Sequence, residues 1–230
     1  MSRKVFTAGE VLAAADVNSF LMDQSVMSFA GTAARGSAIP SPVEGMTTFR
    51  EDTDRLESWT GSQWTSPGDL VLVKSQTIGT GVSSVTVTDA FSSTYDNYKI
   101  IVTGGVASGN ALLQAFLGTS APANGYYMGG VFINYPAAGQ AYVSDNNATR
   151  INRIGYVNSN TVQGNVELYG PFLSKNTLIQ TVFIGHVTDG DAGTYAGFLN
   201  NSTSFTAFTI NTSSGTLTGG TINVYGYRKA

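Results

Sequence analysis

Beyond about residue 70, short runs of β-branched and aromatic residues alternate with polar residues, as in half-buried strands. Tyr98, Ile100 and Val102, for example, alternate with Lys99 and Thr103. No stretch has helical periodicity, and no internal repeat is present. The predicted strands cover residues 71–73, 82–87, 98–103, 111–117, 150–157, 162–169, 178–187, 195–199, 205–211 and 221–228. About ten short strands with glycine-rich turns favour a mainly β fold, a jelly-roll-like antiparallel β-sandwich.

The first part of the chain begins with a pattern typical of a short helix. Three alanines at 13–15 lead to Asp16, which we place as the N-cap. Val17, Phe20 and Leu21 then follow at the spacing of one helical face. This pattern predicts a small amphipathic helix near the N-terminus.

A hairpin is expected after that helix. Glycine and proline residues at positions 31–42 argue against further helix. Two or three short strands are predicted beyond them, over 47–50 and 56–59 and then at Trp64, with Asp/Thr and Gly-Ser turns between them. Trp59 and Trp64, the only tryptophans, provide apolar area for a small core.

Charge divides the chain into two parts. Residues 1–70 contain 14 of the 27 charged side chains, and the remaining 13 are spread over residues 71–230. A cluster of turn-forming residues at 65–69 marks the break. We therefore predict a small helix-plus-hairpin segment over 1–66 and a β-sandwich domain over 67–230.

Composition excludes several classes of protein. A net charge of −3 gives no electrostatic reason to bind nucleic acid. No cysteine is present, so neither disulfides nor a thiolate metal site can form. No apolar run approaches the ~20 residues that span a bilayer, so membrane insertion is not expected. The chain turns polar at Thr7, where a signal peptide would be apolar, and we expect synthesis in the cytoplasm without a signal peptide.

Residues that could support catalysis are few. The single histidine, His186, lies on a predicted strand, where a structural or surface role is favoured. Asp189 and Asp191 resemble part of a Ca²⁺ loop, but the remaining oxygen ligands are missing and an ordinary turn is favoured. Glu167 could form a glycosidase pair only with an aspartate such as Asp145, and nothing in the sequence supports that pairing. We predict no enzymatic activity, no metal and no cofactor.

Tyrosine indicates a recognition surface. All eleven tyrosines lie in the second part of the chain, several of them beside Asn, Gly and Pro. Tyrosine on loops combines rigid apolar area with neutral hydrogen bonding, which suits sugars and protein receptors. Most of these rings could instead fill the core. The candidate loop residues for binding are Asn124, Tyr126, Tyr127, Tyr135, Asp189 and Asp191.

The N-terminal part resembles a module of tailed-bacteriophage tail-fibre and receptor-binding proteins. Residues 6–18 are similar to the GEVLTAADVN opening of many phage structural proteins, with Ala13 where that family often has Thr. Residues 21–30 and 39–46 fit the same module. Residues 51–64 resemble a short hairpin common in phage tail proteins. The resemblance covers about residues 5–66.

Two parts of the second segment resemble the β-sandwich tips of phage fibres. They are an early strand at 91–100 and the closing strand at 219–229. The resemblance implies a virion tail protein, made in the host cytoplasm, attached through its N-terminus and displaying the sandwich outward. The residues expected to mediate attachment are Phe6, Val11, Leu12, Val17, Phe20 and Leu21.

The resemblance also implies partners. A homotrimer is expected, which binds tail or baseplate proteins through residues 1–66 and a host-surface glycan or protein through the sandwich. One alternative is a virion decoration or fibre-adaptor protein that binds only other virion proteins. A polysaccharide depolymerase is a third, which the shortage of catalytic residues disfavours.

Overall fold

A computed structural model describes residues 9, 11, 13–17, 25–66, 68, 70–135, 138–185 and 190–229. The chain forms two compact units, Met1–Gly68 and Asp69–Ala230. They divide within a few residues of the break that charge and turn residues predict. Among the described residues, no helix is long and apolar enough to cross a membrane.

The first unit contains two short helices and a four-stranded sheet. The sheet has the order β1-β2-β3-β4, with β1 parallel to β2 and the other pairs antiparallel. The elements are α1 (Ala14–Val17), β1 (Met27–Phe29), α2 (Thr32–Ala38), β2 (Thr47–Arg50), β3 (Arg55–Trp59) and β4 (Trp64–Thr65). The predicted strands are therefore present, in a larger sheet than expected, and α1 overlaps the start of the predicted helix, whose residues 18–21 lie outside the described residues.

Two expectations about the helices are wrong. Asp16 lies inside α1 rather than at its N-cap. Helix α2 occupies part of the segment where glycine and proline argued against helix, and it contains Gly36. The physical reason is tertiary, because Arg35 of α2 is buried and contacts the sheet.

Arg35 organises the core of the first unit. Its guanidinium forms an ion pair with Glu57 and lies 4.2 Å from the ring centroid of Trp64. The other carboxylate oxygen of Glu57 lies 3.3 Å from Nη1 of Arg50. The rings of Trp59 and Trp64 pack with their centroids 5.5 Å apart. This small core therefore combines a buried charge pair with aromatic surface.

The second unit is entirely β among its described elements. Its strands are β5 (Leu70–Thr77), β6 (Ser84–Val87), β7 (Asn97–Thr103), β8 (Val106–Ala107), β9 (Ala111–Leu117), β10 (Tyr126–Asn134), β11 (Gly139–Ala148), β12 (Ile151–Asn158), β13 (Thr161–Tyr169), β14 (Thr177–Ile184), β15 (Asp191–Leu199), β16 (Phe208–Thr212), β17 (Leu217–Thr218) and β18 (Thr221–Tyr227). All of their pairings are antiparallel.

Eight of these strands form a jelly roll. One layer has the order β5-β18-β7-β13, and the other has the order β6-β16-β9-β12. Consecutive strands of the eight thus lie in opposite layers, except β9 and β12, which pair within one layer, and the tight β12–β13 hairpin joins the two layers at one corner. This is the connectivity of a double Greek key, and it confirms the predicted jelly-roll-like sandwich.

The core lies between the two layers. Alternate residues of β7 and β18, including Ile100 and Val224, face alternate residues of β9 and β16, including Leu113 and Ile210. At one end the ring of Phe91 packs 4.9 Å from Tyr98 and 5.6 Å from Phe208, centroid to centroid. The core is therefore aliphatic in the middle and aromatic at this end.

Two strand pairs are inserted into the jelly roll. Strands β10 and β11 come between β9 and β12, while β14 and β15 come between β13 and β16. Together they form four neighbouring strands in the order β11-β10-β15-β14, and β14 pairs with β13. The sequence analysis did not predict β10 and β11. Their glycine and alanine content weakens the alternating pattern that indicates a strand. Strand β10 is stabilised instead by its pairing with β15, which is distant in sequence.

Candidate binding groove

The sheet divides at β13. The C-terminal end of this strand, residues 167–169, pairs with residues 178–180 of β14. Its N-terminal end, residues 161–164, pairs with residues 155–158 of β12. Strands β12 and β14 therefore diverge on one side of β13, and a cavity of about 470 Å³ lies at the divergence.

We call this cavity the split groove. It is lined by residues of β7, β12, β13 and β14, among them Lys99, Ile101, Thr103, Gln163, Asn165, Glu167, Gln180, Val182 and Ile184.

Asn165 bridges the gap between β13 and β14. Its Nδ2 donates a hydrogen bond to the carbonyl oxygen of Val182 at 2.8 Å, and the Val182 amide donates to Asn165 Oδ1 at 3.4 Å. On the buried side of β14, the Thr181 hydroxyl donates a hydrogen bond to the carbonyl oxygen of Arg153 at 2.8 Å. Side chains thus satisfy main-chain groups that the divergent strands no longer pair, and they hold the groove open.

Two glycines allow the strands to approach closely beside the groove. A Cβ on Gly155 would lie 1.9 Å from the carbonyl oxygen of Gln163, and one on Gly164 would lie 2.8 Å from that of Ile154. Both contacts are with main-chain atoms, which cannot rotate away. Glycine is therefore required at this β12–β13 crossing.

Glu167 is the centre of a hydrogen-bond network at one end of the groove. It accepts hydrogen bonds from Lys99 Nζ at 3.2 Å and from the hydroxyls of Tyr227 and Tyr169 at 3.0 Å each. Burial raises the pKa of Glu167, but the hydrogen bonds from Tyr169, Lys99 and Tyr227 outweigh it and the pKa is lowered. The carboxylate is therefore ionised, and its charge is balanced by Lys99.

That network does not suit Glu167 as the general acid of a glycosidase. A general acid in such an enzyme needs a raised pKa and a second carboxylate across the cleft. Glu167 has a lowered pKa, and Asp145 accepts a hydrogen bond from the Tyr195 hydroxyl on another part of the sheet. Among the described residues, no three acidic or histidine side chains come together as a metal site.

One wall of the groove continues into an exposed apolar surface, the outward side of the four inserted strands. Ile184, Ile133 and Tyr142 are 65%, 56% and 75% exposed. We call this surface the hairpin face. It consists of Leu178, Gln180, Val182, Ile184, Ala192, Thr194, Ala196, Phe198, Tyr127, Gly129, Val131, Ile133, Gln140, Tyr142 and Ser144, as the register of the strands places them. None of these residues carries a charge, which is unusual for a solvent-facing sheet.

Beneath the inserted strands, Asp191 lies in a polar cluster. Its carboxylate accepts hydrogen bonds from Asn134 Nδ2 at 3.1 Å and the Tyr156 hydroxyl at 2.8 Å. Arg153 donates to the same Tyr156 hydroxyl at 2.9 Å, with its guanidinium 5.5 Å from the Phe132 ring centroid. Burial, followed by the hydrogen bond to Asp191, raises the pKa of Tyr156 to about 12. The cluster ties β10, β12 and β15 together and borders a second cavity of about 310 Å³.

The structure brings together two of the residues predicted to bind. The Tyr135 hydroxyl donates to the main-chain oxygen of Asp191 at 3.3 Å. Asn124 is exposed in a turn before β10. Asp189, the other acidic candidate, lies outside the described residues, as does His186.

Two tyrosines placed on loops are strand residues instead. Tyr126 and Tyr127 begin β10. The Tyr126 ring is fully buried, and its hydroxyl accepts a hydrogen bond from the Leu117 amide at 2.8 Å, so this candidate is wrong and the residue belongs to the core. Tyr127 stacks on Phe198 at 5.4 Å between ring centroids, on the hairpin face.

Of the residues expected to mediate attachment, the structure describes few. Val11 is 87% exposed, which leaves its apolar side chain available for a contact. Val17 lies in α1, but its side chain is outside the described part. Phe6, Leu12, Phe20 and Leu21 also lie outside the described residues.

The split groove itself was not predicted, because none of the candidate binding residues lines it, and Glu167, which does, was considered only for catalysis. Gly155 and Gly164 interrupt two strand patterns, which is the one sequence signal that indicates a close approach here. Asn165 in the middle of a strand is a second unusual residue. Neither signal reveals a groove, since the divergence of β12 and β14 depends on long-range pairing.

Comparison with known proteins adds no relative. No protein-family model matches the chain. No curated protein is significantly similar to it in sequence. Its function is therefore argued from the jelly roll, the split groove and the hairpin face, together with the N-terminal resemblance described above.

Proposed function

We propose that this chain is a structural component of a phage virion, a tail-fibre or receptor-binding protein. The first unit attaches it to tail or baseplate proteins. The second unit contacts the host surface. The split groove is the observation that carries this proposal, because it offers hydrogen-bonding and apolar surface, and its two charged side chains, Lys99 and Glu167, are paired with each other.

The groove is formed in part by a strand that is inserted into the jelly roll. Eight strands suffice for the jelly roll, and the inserted strand β14 forms one wall of the groove. Insertions placed between strands of a stable scaffold are where binding surfaces commonly form. The arrangement supports recognition at this end of the sheet.

A virion protein also gains binding strength when several copies of it are present on one particle. Several copies on one particle bind a surface together, and avidity then compensates for weak individual sites. We propose a homotrimer on this basis and on the N-terminal resemblance. Light scattering of the purified full chain tests the assembly, and a monomer would contradict this part of the proposal.

Cell binding tests the main proposal. The purified, fluorescently labelled chain should bind the bacteria that the virus infects and should compete with virus adsorption. Bacteria that resist adsorption serve as the control. Equal binding to both, or no binding to either, would contradict a receptor-binding role.

The hairpin face favours a second candidate, a virion decoration or fibre-adaptor protein. Apolar surface without charge is typical of the centre of protein–protein interfaces. Antibody labelling of intact virions distinguishes the two functions. Label at the distal end of the tail supports receptor binding, whereas label along the head or tube supports decoration.

A further inference from the structure

We propose that the split groove binds an uncharged oligosaccharide, with one or two sugar rings between β7 and β14. This inference rests on the proposed function, since it assigns the chemical class of the receptor. It is argued from the charge, hydrogen-bonding groups and size of the groove alone.

The charge of the groove favours a neutral ligand. Among the described lining residues, only Lys99 and Glu167 are charged, and their charged atoms lie 3.2 Å apart. Both are only partly exposed. A phosphate or carboxylate ligand would have to separate Lys99 from Glu167 and leave the latter without its counter-charge. A cationic ligand would displace Lys99 in the same way.

The remaining polar groups can both donate and accept hydrogen bonds. Gln163 and Gln180 are exposed and border the groove from β13 and β14, while Thr103 borders it from β7. A carboxamide offers an NH₂ donor and a carbonyl acceptor at similar reach. Neighbouring sugar hydroxyls present the same combination. The groove therefore complements a polyhydroxylated ligand better than one with a single polar end.

The apolar part of the groove offers aliphatic surface to the apolar faces of sugar rings. Ile101, Val182 and Ile184 provide aliphatic surface beside the amides. A cavity of about 470 Å³ falls within the ~300–1,000 Å³ of small-ligand sites.

Titration calorimetry and an array test the ligand class. The probes are neutral disaccharides of glucose, galactose, mannose and N-acetylglucosamine, with sialylated and phosphorylated counterparts. Binding of at least one neutral probe is expected, with weaker or no binding of its charged counterparts. Preference for the charged forms, or no binding of any probe, would overturn the inference.

Variants place the ligand in the groove. Gln163→Leu with Gln180→Leu removes both exposed amides and should weaken binding roughly tenfold or more. Thr103→Trp should fill the groove and abolish binding, and it changes an exposed residue, so folding should be retained. Gln140→Leu is the matched control, because Gln140 is an exposed glutamine on the distant strand β11. Equal loss in the control and the groove variants would overturn the assignment.

The same variants separate this inference from the proposed function. If the wild-type chain and the groove variants bind host cells equally, the oligosaccharide assignment fails and receptor binding stands. If the wild-type chain binds neutral disaccharides but no host cells, the groove assignment stands and the proposed function fails.

Discussion

Asn165 and Val182 form a hydrogen-bonded pair in which the Asn165 side chain takes the place of the main-chain groups of a neighbouring strand. The carboxamide of Asn165 donates to the carbonyl oxygen of Val182 and accepts from its amide. The main-chain ladder between β13 and β14 ends nearby, at the pair Glu167–Gln180. The sheet therefore remains connected across the point where its strands separate.

Replacing Asn165 by Leu should destabilise the second unit. Two main-chain groups of Val182 would lose their partners, and since the site is partly solvated the expected loss is about 1–2 kcal/mol of unfolding free energy. Urea unfolding followed by far-ultraviolet circular dichroism measures it. Asn165→Asp keeps the acceptor but loses the donor at neutral pH, so it should also destabilise. An unchanged midpoint in both variants would contradict the bridging role.

Glu167→Gln should lower stability at neutral pH by about 1–2 kcal/mol, because hydrogen bonds to a charged acceptor are replaced by weaker ones. The folded state lowers the pKa of Glu167 below its ordinary value of 4.5. The wild type therefore has this extra stability above about pH 4.5 and loses it as the pH falls through the lowered pKa. Stability measured against pH should thus converge for the two proteins in acid. A constant difference down to low pH would contradict this role.

Alkaline pH should destabilise the second unit through Tyr156 and Tyr227. Burial, then hydrogen bonds to Asp191 and Glu167 respectively, raise the pKa of each phenol from 10.0 to about 12. Folding favours the neutral phenols, so their stabilisation is complete below pH 10 and declines as the pH rises towards 12. Tyrosinate absorbance of the folded protein should show a late-ionising fraction. Tyr156→Phe should reduce that fraction, and an unchanged fraction in this variant would contradict the assignment.

Arg35→Met should destabilise the first unit by about 3 kcal/mol, because the buried carboxylate of Glu57 loses its ion-pair partner. Trp59 and Trp64 are the only tryptophans, so their fluorescence reports on this unit selectively. Arg55→Met, at an exposed arginine of the same sheet, is the matched control and should change stability by less than about 0.5 kcal/mol. Similar midpoints for both variants would show that the Arg35 contacts are not stabilising.

Gly155→Ala should be among the most damaging single substitutions in the second unit. The new Cβ would collide with the carbonyl oxygen of Gln163, so the β12–β13 crossing must separate, at a cost of about 3 kcal/mol or more. Gly109→Ala is the control, since nothing lies within 4 Å of a Cβ there. Thermal unfolding compares the two. Tolerance of Gly155→Ala would mean that the crossing is less tight than described.

Local sequence pattern predicted much of the fold for a clear reason. In strands such as β7 and β18, buried side chains alternate with more exposed ones, and the residue types alternate in the same way along the sequence. The same pattern fails for β10, where Gly129 and Gly130 interrupt it and pairing with β15 supplies the order. Helix α2 was missed likewise, because Arg35 stabilises it through contacts distant in sequence.

The candidate site was less predictable than the fold. Tyr135 and Asp191 were selected separately for their residue types, and the pairing of β10 with β15 brings them together. Tyr126 has the same residue type as Tyr135 but points inward, and side-chain direction follows from strand register rather than composition. The split groove depends on where β12 and β14 diverge along β13, and no local sequence pattern indicates that position.

In the two inserted strand pairs, the residues that the fold depends on lie on one side of the sheet and the residues that can be substituted lie on the other. Side chains on the inner side of β14 and β15 support the fold, while the outward positions such as Ile184 and Thr194 contact no part of the core between the two layers. Mutations there can accumulate without repacking the jelly roll. Such a layout lets a lineage alter its surface quickly under selection while its scaffold diverges slowly.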